Sequence, residues 1–306
     1  MMVDLIGPEA EALLDWVTLA EAMAAGHRLP RAEVADTFLY RGADTLLTRS
    51  AWIDGLGIAV KAASILPGNP AEGRAAVNGA VNLLSDQTGM LEAVVDFGLV
   101  TKWKTAADSL LAARLLARPE ARRILICGAG NVAASMVEAY RAGFPQAQIA
   151  IWARRPEAAA ALAARMGVQA APDLEQAVRG AEIIACTTMA TIPYLQGDWL
   201  SPGTHLDLIG AYRPDMREVD DAALARARIF CDSRATTVAH IGEFRDPIAR
   251  GVMSESDIVA DYYDIAAGHF RRQSPDEITL CKNGGGAHLD LITAQYILQM
   301  WRLSRH

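Results

Sequence analysis

Apolar positions along the 306-residue chain follow two rhythms, and the change between them comes near Arg122. Ahead of it, short apolar runs are broken by turn residues. Leu13, Leu14, Val17 and Ala20 recur at helical spacing and predict a helix over Glu9–Ala25. Strand character follows in Thr37–Tyr40, Thr45–Leu47, Gly57–Ala62, Ala80–Leu84 and Leu91–Asp96, with turns at Pro67-Gly68, Asn69-Pro70 and Thr88-Gly89. A further helix is expected over Thr105–Leu116; it stops near Pro119, where the ring removes a backbone donor.

Beyond Arg122 strands and helices alternate. Ile124–Cys127, Gln148–Trp152, Ile183–Thr187, Leu206–Ile209 and Ile229–Asp232 read as strands, with helices over Val132–Ala142 and Glu157–Met166. Unbroken apolar runs of this length are expected of strands covered on both faces, the mark of a parallel sheet. One more strand, Ile278–Cys281, precedes a long closing helix over Ala287–Leu303. The predicted class is α/β: a Rossmann-type parallel-sheet domain joined to a mixed α+β domain. The Asp- and Glu-rich stretch from Ile241 to His269 is expected to be solvated, and His240 within its approach carries no chemistry.

Composition narrows the function. The net charge of −7 weighs against nucleic acid, since phosphate binding needs a basic face. No apolar run approaches the ~18 residues of a membrane span. Met1–Glu11 lacks the basic and apolar blocks of a secretory signal. Cys127, Cys186, Cys231 and Cys281 lie far apart, so neither a disulfide framework nor a metal site is expected. A reducing cytoplasm is the expected compartment.

The strand at Ile124 runs into Gly128-Ala-Gly-Asn-Val-Ala133, a G-x-G-x-x-A turn opening a helix. Gly128 permits the turn, Gly130 lets backbone approach a pyrophosphate, and Ala133 allows close helix–strand packing. The helix N-terminus offers free N–H groups and a positive dipole end. Gly128, Ala129, Gly130, Asn131 and Val132 are therefore candidate dinucleotide contacts. The second strand ends in Trp152-Ala-Arg154-Arg155, with no acid for the ribose hydroxyls. Two arginines there suit a 2′-phosphate, so NADPH is the expected cofactor, with NADH the alternative.

At this point the chain resembles the ornithine cyclodeaminase/mu-crystallin family over nearly its whole length. The carriers are Lys61 in Val60-Lys-Ala-Ala-Ser-Ile-Leu-Pro-Gly-Asn69, Thr101-Lys-Trp-Lys-Thr-Ala-Ala-Asp-Ser109 and Leu116-Ala-Arg-Pro119. With them go the glycine turn, Thr188-Met-Ala-Thr-Ile-Pro193, Ile209-Gly-Ala-Tyr-Arg-Pro-Asp-Met-Arg-Glu-Val-Asp220 and Thr279-Leu-Cys-Lys-Asn-Gly-Gly-Gly-Ala287. The resemblance implies a substrate-binding and dimerisation domain from 1–115 with 287–306, a dinucleotide domain over 116–286, and a homodimer. It adds Lys104, Thr105, Thr187, Thr188 and Met189 to the cofactor set.

Family members include ornithine and lysine cyclodeaminases, an alanine dehydrogenase, reductases of cyclic ketimines and an NADPH-loaded binding protein. All handle an α-imino or α-amino carboxylate beside a nicotinamide. Arg49 and Lys61 match family positions that meet the substrate carboxylate, Arg49 through its two-pronged fork, Lys61 as a second cation or as proton donor. Lys104 stands where most members carry arginine, keeping the charge but losing the fork. Tyr212 stands where cyclodeaminases carry an aspartate for the distal amine, with Asp207 and Asp215 as possible replacements. Asn283 and Gly284 either present polar groups to a carboxylate or simply start the closing helix. His288 and Asp290, two apart on that helix, point apart and form no pair. The expected reaction is reduction of Δ1-pyrroline-2-carboxylate or Δ1-piperideine-2-carboxylate to L-proline or L-pipecolate. The alternatives are ornithine cyclodeamination, alanine dehydrogenation and a non-catalytic NADPH-loaded carrier.

Overall fold

The computed structural model describes residues 3–305. The chain forms two compact units, Met1–Lys104 with Gly286–His306, and Thr105–Gly285. The division falls inside one helix, upstream of the 115/116 boundary that the resemblance implies.

In the first unit β1 (Asp4–Ile6) and a 3-10 turn lead to α1 (Trp16–Gly26). Then come β2 (Glu33–Arg41), β3 (Asp44–Ile53), β4 (Gly57–Ile65), β5 (Val77–Leu84), β6 (Leu91–Asp96) and the start of α2 (Phe97–Leu116). The six strands lie in the order β1-β6-β5-β4-β3-β2, antiparallel except where β1 meets β6. The single helix expected over Glu9–Ala25 is divided because Asp15 is extended and caps α1, accepting Thr18 N–H at 2.8 Å. α2 begins at Phe97 rather than Thr105, where the Asp96 carboxylate accepts Leu99 N–H at 2.7 Å.

β4 shows the alternation of a half-covered strand: Gly57, Ala59, Lys61 and Ala63 are buried, their neighbours less so. The closing helix, Ala287–Leu303, packs against β3, β4 and α1, with Leu289, Leu291, Ala294 and Ile297 fully buried. Lys61 therefore lies on a covered face.

The second unit runs β7 (Arg123–Cys127), α3 (Asn131–Gly143), β8 (Gln148–Trp152), α4 (Pro156–Met166), β9 (Gln169–Ala170), α5 (Leu174–Gly180), β10 (Ile183–Cys186) and β11 (His205–Leu208). It continues with α6 (Asp221–Arg226), β12 (Ala227–Cys231), α7 (Arg234–Thr237), α8 (Gly242–Ala249), β13 (Ile258–Ala260) and β14 (Ile278–Lys282). All eight strands are parallel, in the order β13-β12-β14-β11-β10-β7-β8-β9. The order reverses between β7 and β10, the switch point at which ligands bind in open α/β sheets. β10 is buried at every residue, as its unbroken apolar run implies, and β11 is equally buried although it carries His205 and Asp207.

The stretch from Ile241 to His269 is not a solvated loop. Glu243, Phe244, Asp261 and Tyr262 are buried in it. Its acids serve as backbone acceptors: Glu243 takes the N–H groups of Glu218 and Val219, and Asp261 takes that of Tyr263. Acidity reads as solvation only when the acids lack such donors. Among the described residues no helix is long and apolar enough to cross a membrane.

Near its middle the closing helix is held by apolar burial more than by the Tyr296 tie, in which the hydroxyl accepts from Asp15 N–H at 2.9 Å and donates to Asp15 O at 3.3 Å. Ile297→Ala is expected to cost about 2–5 kcal/mol and Tyr296→Phe about 1 kcal/mol. Urea unfolding of both variants checks the ranking; a larger loss from Tyr296→Phe contradicts it.

Candidate active site

At the switch point the glycine turn has the shape a dinucleotide needs. Gly128 has φ +135°, and a Cβ there would stand 2.2 Å from Thr187 Oγ1. Only glycine lets β7 leave the sheet so close to the end of β10. Gly130 is the N-cap of α3, in extended conformation and with no side-chain cap. A Cβ on Gly130 would meet no protein atom within 4 Å. The opening turn of α3, Asn131 to Ala133, thus faces space with its N–H groups uncapped by any side chain, a cradle that fits a pyrophosphate. Ala133 is fully buried, Asn131 exposed, and Ala129 and Val132 half-buried.

Arg154 and Arg155 are exposed at the end of β8, and among the described residues no acid pairs with either guanidinium. The Trp152 indole turns inward and stacks on Tyr194, with centroids 5.5 Å apart. Thr187 Oγ1 donates to Cys127 O at 2.9 Å, binding β10 to the end of β7. Thr188 is tied to Glu218 through both its N–H and its hydroxyl. Met189 and Tyr212 are exposed, the Tyr212 hydroxyl 3.9 Å from the Met189 sulfur.

The polar groups near Tyr212 in sequence are engaged elsewhere. Asp207 is fully buried and accepts from the Tyr140 hydroxyl at 3.0 Å and from Asn283 Nδ2 at 2.5 Å. Burial pushes its carboxyl up to about 7 against these donors. Asp215 is exposed and paired with Arg213 at 2.9 Å, which holds its carboxyl below the usual range. Asn283 also donates to Ser109 Oγ. The glycine run does bind a carboxylate, but an internal one: Gly284 and Gly285 N–H donate to Asp232 Oδ2 at 2.9 and 2.6 Å. The donors expected to face a substrate are used within the fold.

In the first unit, register brings the predicted cations together. Arg49 on β3 lies opposite Lys61 on β4, and Asp36 on β2 lies opposite Arg49. The Arg49 fork is turned on Asp36, with contacts of 2.8–3.1 Å, where the sequence pattern suggests a fork open to a ligand. Lys61 Nζ donates to Asp290 Oδ1 at 2.9 Å and to Thr101 Oγ1 at 3.0 Å, and sits 4.6 Å from the Phe97 ring centroid. Burial lowers the Lys61 pKa below the ordinary lysine value; Asp290 opposes that shift, and the charges of Lys104 and Arg49 add to it. Lys104 is buried on α2, one turn after Thr101. Thr105, the next residue, is half-buried.

Asp290 is the group that spacing misses. Its separation from His288 rules out a pair between those two and says nothing about a strand packed beneath. The usable signal is Lys61 itself, since a buried ammonium requires a counter-charge.

Known proteins match this chain over most of its length. The family model for the ornithine cyclodeaminase/mu-crystallin family matches residues 51–304. A Delta(1)-pyrroline-2-carboxylate reductase from Paracoccus denitrificans (strain Pd 1222) is 48% identical over 299 residues, covering 95% of each chain. The ketimine reductase mu-crystallin of Mus musculus is 33% identical, covering 72% of this chain and 69% of its own. An archaeal alanine dehydrogenase dimer with bound NAD superposes with a TM-score of 0.89 at 26% identity, over 100% of this chain and 98% of its own. The chain belongs to the ornithine cyclodeaminase/mu-crystallin family.

Proposed function

We propose that the protein is an NAD(P)H-dependent reductase of cyclic imino acids, converting Δ1-pyrroline-2-carboxylate or its six-membered homologue to L-proline or L-pipecolate. The observation that carries this reading is Lys61, a buried ammonium held at 2.9 Å by Asp290 with Arg49 opposite it in the register. The 48% identical relative named for this reaction supports it.

A reduced dinucleotide, when bound, would supply the hydride. The uncapped start of α3 and the bare Gly130 backbone would hold its pyrophosphate, and Arg154 and Arg155 would meet the 2′-phosphate of NADPH. Arg49 and Lys104 hold the imine carboxylate by charge. Lys61, its proton loosened by burial, donates to the ring nitrogen, so that the C=N carbon is electrophilic when reduced. Asp290 and Thr101 fix where that proton stands. No anion placed like the cyclodeaminase aspartate stands at Tyr212, which favours an imine without a second ammonium group.

Rapid loss of NADPH absorbance with Δ1-pyrroline-2-carboxylate is expected, and weaker loss with pyruvate plus ammonia. Lys61→Ala is expected to lower kcat/KM about 10²–10⁴-fold. With Lys61 as the acid, kcat/KM falls as pH rises through its lowered pKa. Asp290 raises that pKa, so Asp290→Asn moves the basic limb to lower pH. Absence of turnover with every cyclic imine, or a limb unmoved in Asp290→Asn, contradicts the assignment.

Arg154→Ala with Arg155→Ala is expected to raise KM for NADPH about tenfold or more and to leave that for NADH nearly unchanged. Equal effects on both cofactors would remove the case for NADPH.

A homodimer completes the proposal. β2 is an edge strand exposed along its whole length, and Phe38, Leu39 and Tyr40 on it are 49%, 67% and 74% exposed. An apolar edge of this kind is normally covered. Sedimentation is expected to show a dimer, and Leu39→Glu with Tyr40→Glu a monomer; a monomeric parent chain refutes this part.

A further inference from the structure

Glu218 lies in the Ile209–Asp220 run but has no role assigned above, yet it gathers the loops that form the rim of the dinucleotide site. It is fully buried, ahead of α6. Its Oε1 accepts from Thr188 N–H and from Thr188 Oγ1, both at 2.7 Å, and from the Tyr194 hydroxyl at 3.4 Å. Its Oε2 accepts from Gly210 N–H at 2.9 Å and Ala211 N–H at 3.2 Å. Thr188 follows β10 and Gly210–Ala211 follow β11, so one carboxylate spans two adjacent strand ends. The loops it joins are packed tightly, since a Cβ on Gly210 would stand 2.2 Å from both Thr188 N and Thr188 O. Thr187, one residue before, packs in turn against Gly128 of the glycine turn.

Glu218 is itself held. Its N–H and that of Val219 donate to the two oxygens of buried Glu243, at 2.9 and 3.1 Å. Its carbonyl accepts from Tyr194 and Leu195 N–H. Burial pushes its carboxyl up, while Lys282 and the donors around it favour the anion. A side chain this thoroughly surrounded by donors, at the switch point of the sheet, serves the loops more than the core beneath.

We infer that Glu218 is a positioning residue for dinucleotide binding: its carboxylate locks the Thr188 and Gly210–Ala211 loops in the conformation that receives the nicotinamide half of the cofactor. The role rests on the reductase reading for its place in turnover, but the loop lock itself concerns the dinucleotide alone. Glutamine cannot substitute. Whichever way its amide turns, the NH2 group meets backbone N–H donors: Thr188 on one side, or Gly210 and Ala211 on the other.

The test is titration of Glu218→Gln with NADPH and with NADH by dinucleotide fluorescence, without imine, followed by steady-state kinetics with Δ1-pyrroline-2-carboxylate. The expected result is a Kd and a cofactor KM raised about tenfold or more, with the far-ultraviolet circular dichroism of the parent chain. A structural defect alone reduces the folded fraction and lowers apparent kcat in proportion, leaving Kd unchanged; that pattern overturns the inference, as do Kd and KM equal to the parent's. If Glu218→Gln does not fold, Thr188→Val decides by the same titration. It removes one donor from Oε1, and an unchanged Kd there overturns the inference. Should the parent chain reduce no cyclic imine, the reductase reading falls while the binding titration still judges the lock.

Discussion

The ion pair between Lys61 and Asp290 is the constraint from which the first unit is organised. The two side chains are 8% and 1% exposed and stand 2.9 Å apart, joined across 229 residues of chain. Removing one partner from a buried pair strands the other, at a cost of about 3–5 kcal/mol. The closing helix therefore has to dock in the register that delivers Asp290 to β4. The same requirement explains the row across the sheet. Arg49 and Lys61 are like charges directly opposite each other, an unfavourable pairing alone. Asp36 on one flank and Asp290 on the other give each cation an anion of its own.

The second unit has the reverse problem. Asp207, Glu218, Asp232 and Glu243 are all fully buried, near a single buried lysine, Lys282, whose charge acts on each. One cation cannot balance four anions. Burial accordingly pushes Asp207 and Glu243 up to about 7 and Asp232 to about 6. Backbone N–H groups do most of the remaining compensation. They belong to loops at the C-terminal ends of parallel strands, where the ladder has ended and donors need other acceptors. Glu218, Asp232 and Glu243 thus work as loop staples, accepting the backbone donors of Thr188, Gly210, Ala211, Glu218, Val219, Gly284 and Gly285.

What the sequence reveals of this follows from how local each feature is. The glycine turn is legible because Gly128, Gly130 and Ala133 act within one strand–turn–helix. The parallel sheet is legible because β7 from Ile124 onward and the whole of β10 are apolar. α2 is harder: its first turn, Phe97 to Val100, continues an apolar strand, and only the Asp96 cap marks the change. The partners of Arg49 and Lys61 are not legible from spacing, since Asp36 and Asp290 reach them through register and docking. Glu218 and Glu243 are hidden for the same reason. A buried acid surrounded by donors and one on the surface look alike in a sequence, which is why the stretch beginning at Ile241 reads as solvated although its core residues are buried.

The distribution of charge also bears on which substrate the proposed site suits. An α-imino carboxylate brings one anion and one nitrogen, and Lys61, Arg49 and Lys104 answer both. A diamino acid brings a second ammonium, which in a desolvated site needs an anion of its own. Asp207 could supply one only by giving up Tyr140 and Asn283, and Asp215 only by leaving Arg213. Asp290 could do so only by releasing Lys61. Tyr212 offers a neutral, exposed phenol in their place. Each of these acids is already committed, so accepting a diamino acid would require breaking a buried or paired contact to free an anion, whereas the carboxylate of a cyclic imine asks only that Arg49 share a fork now turned on Asp36.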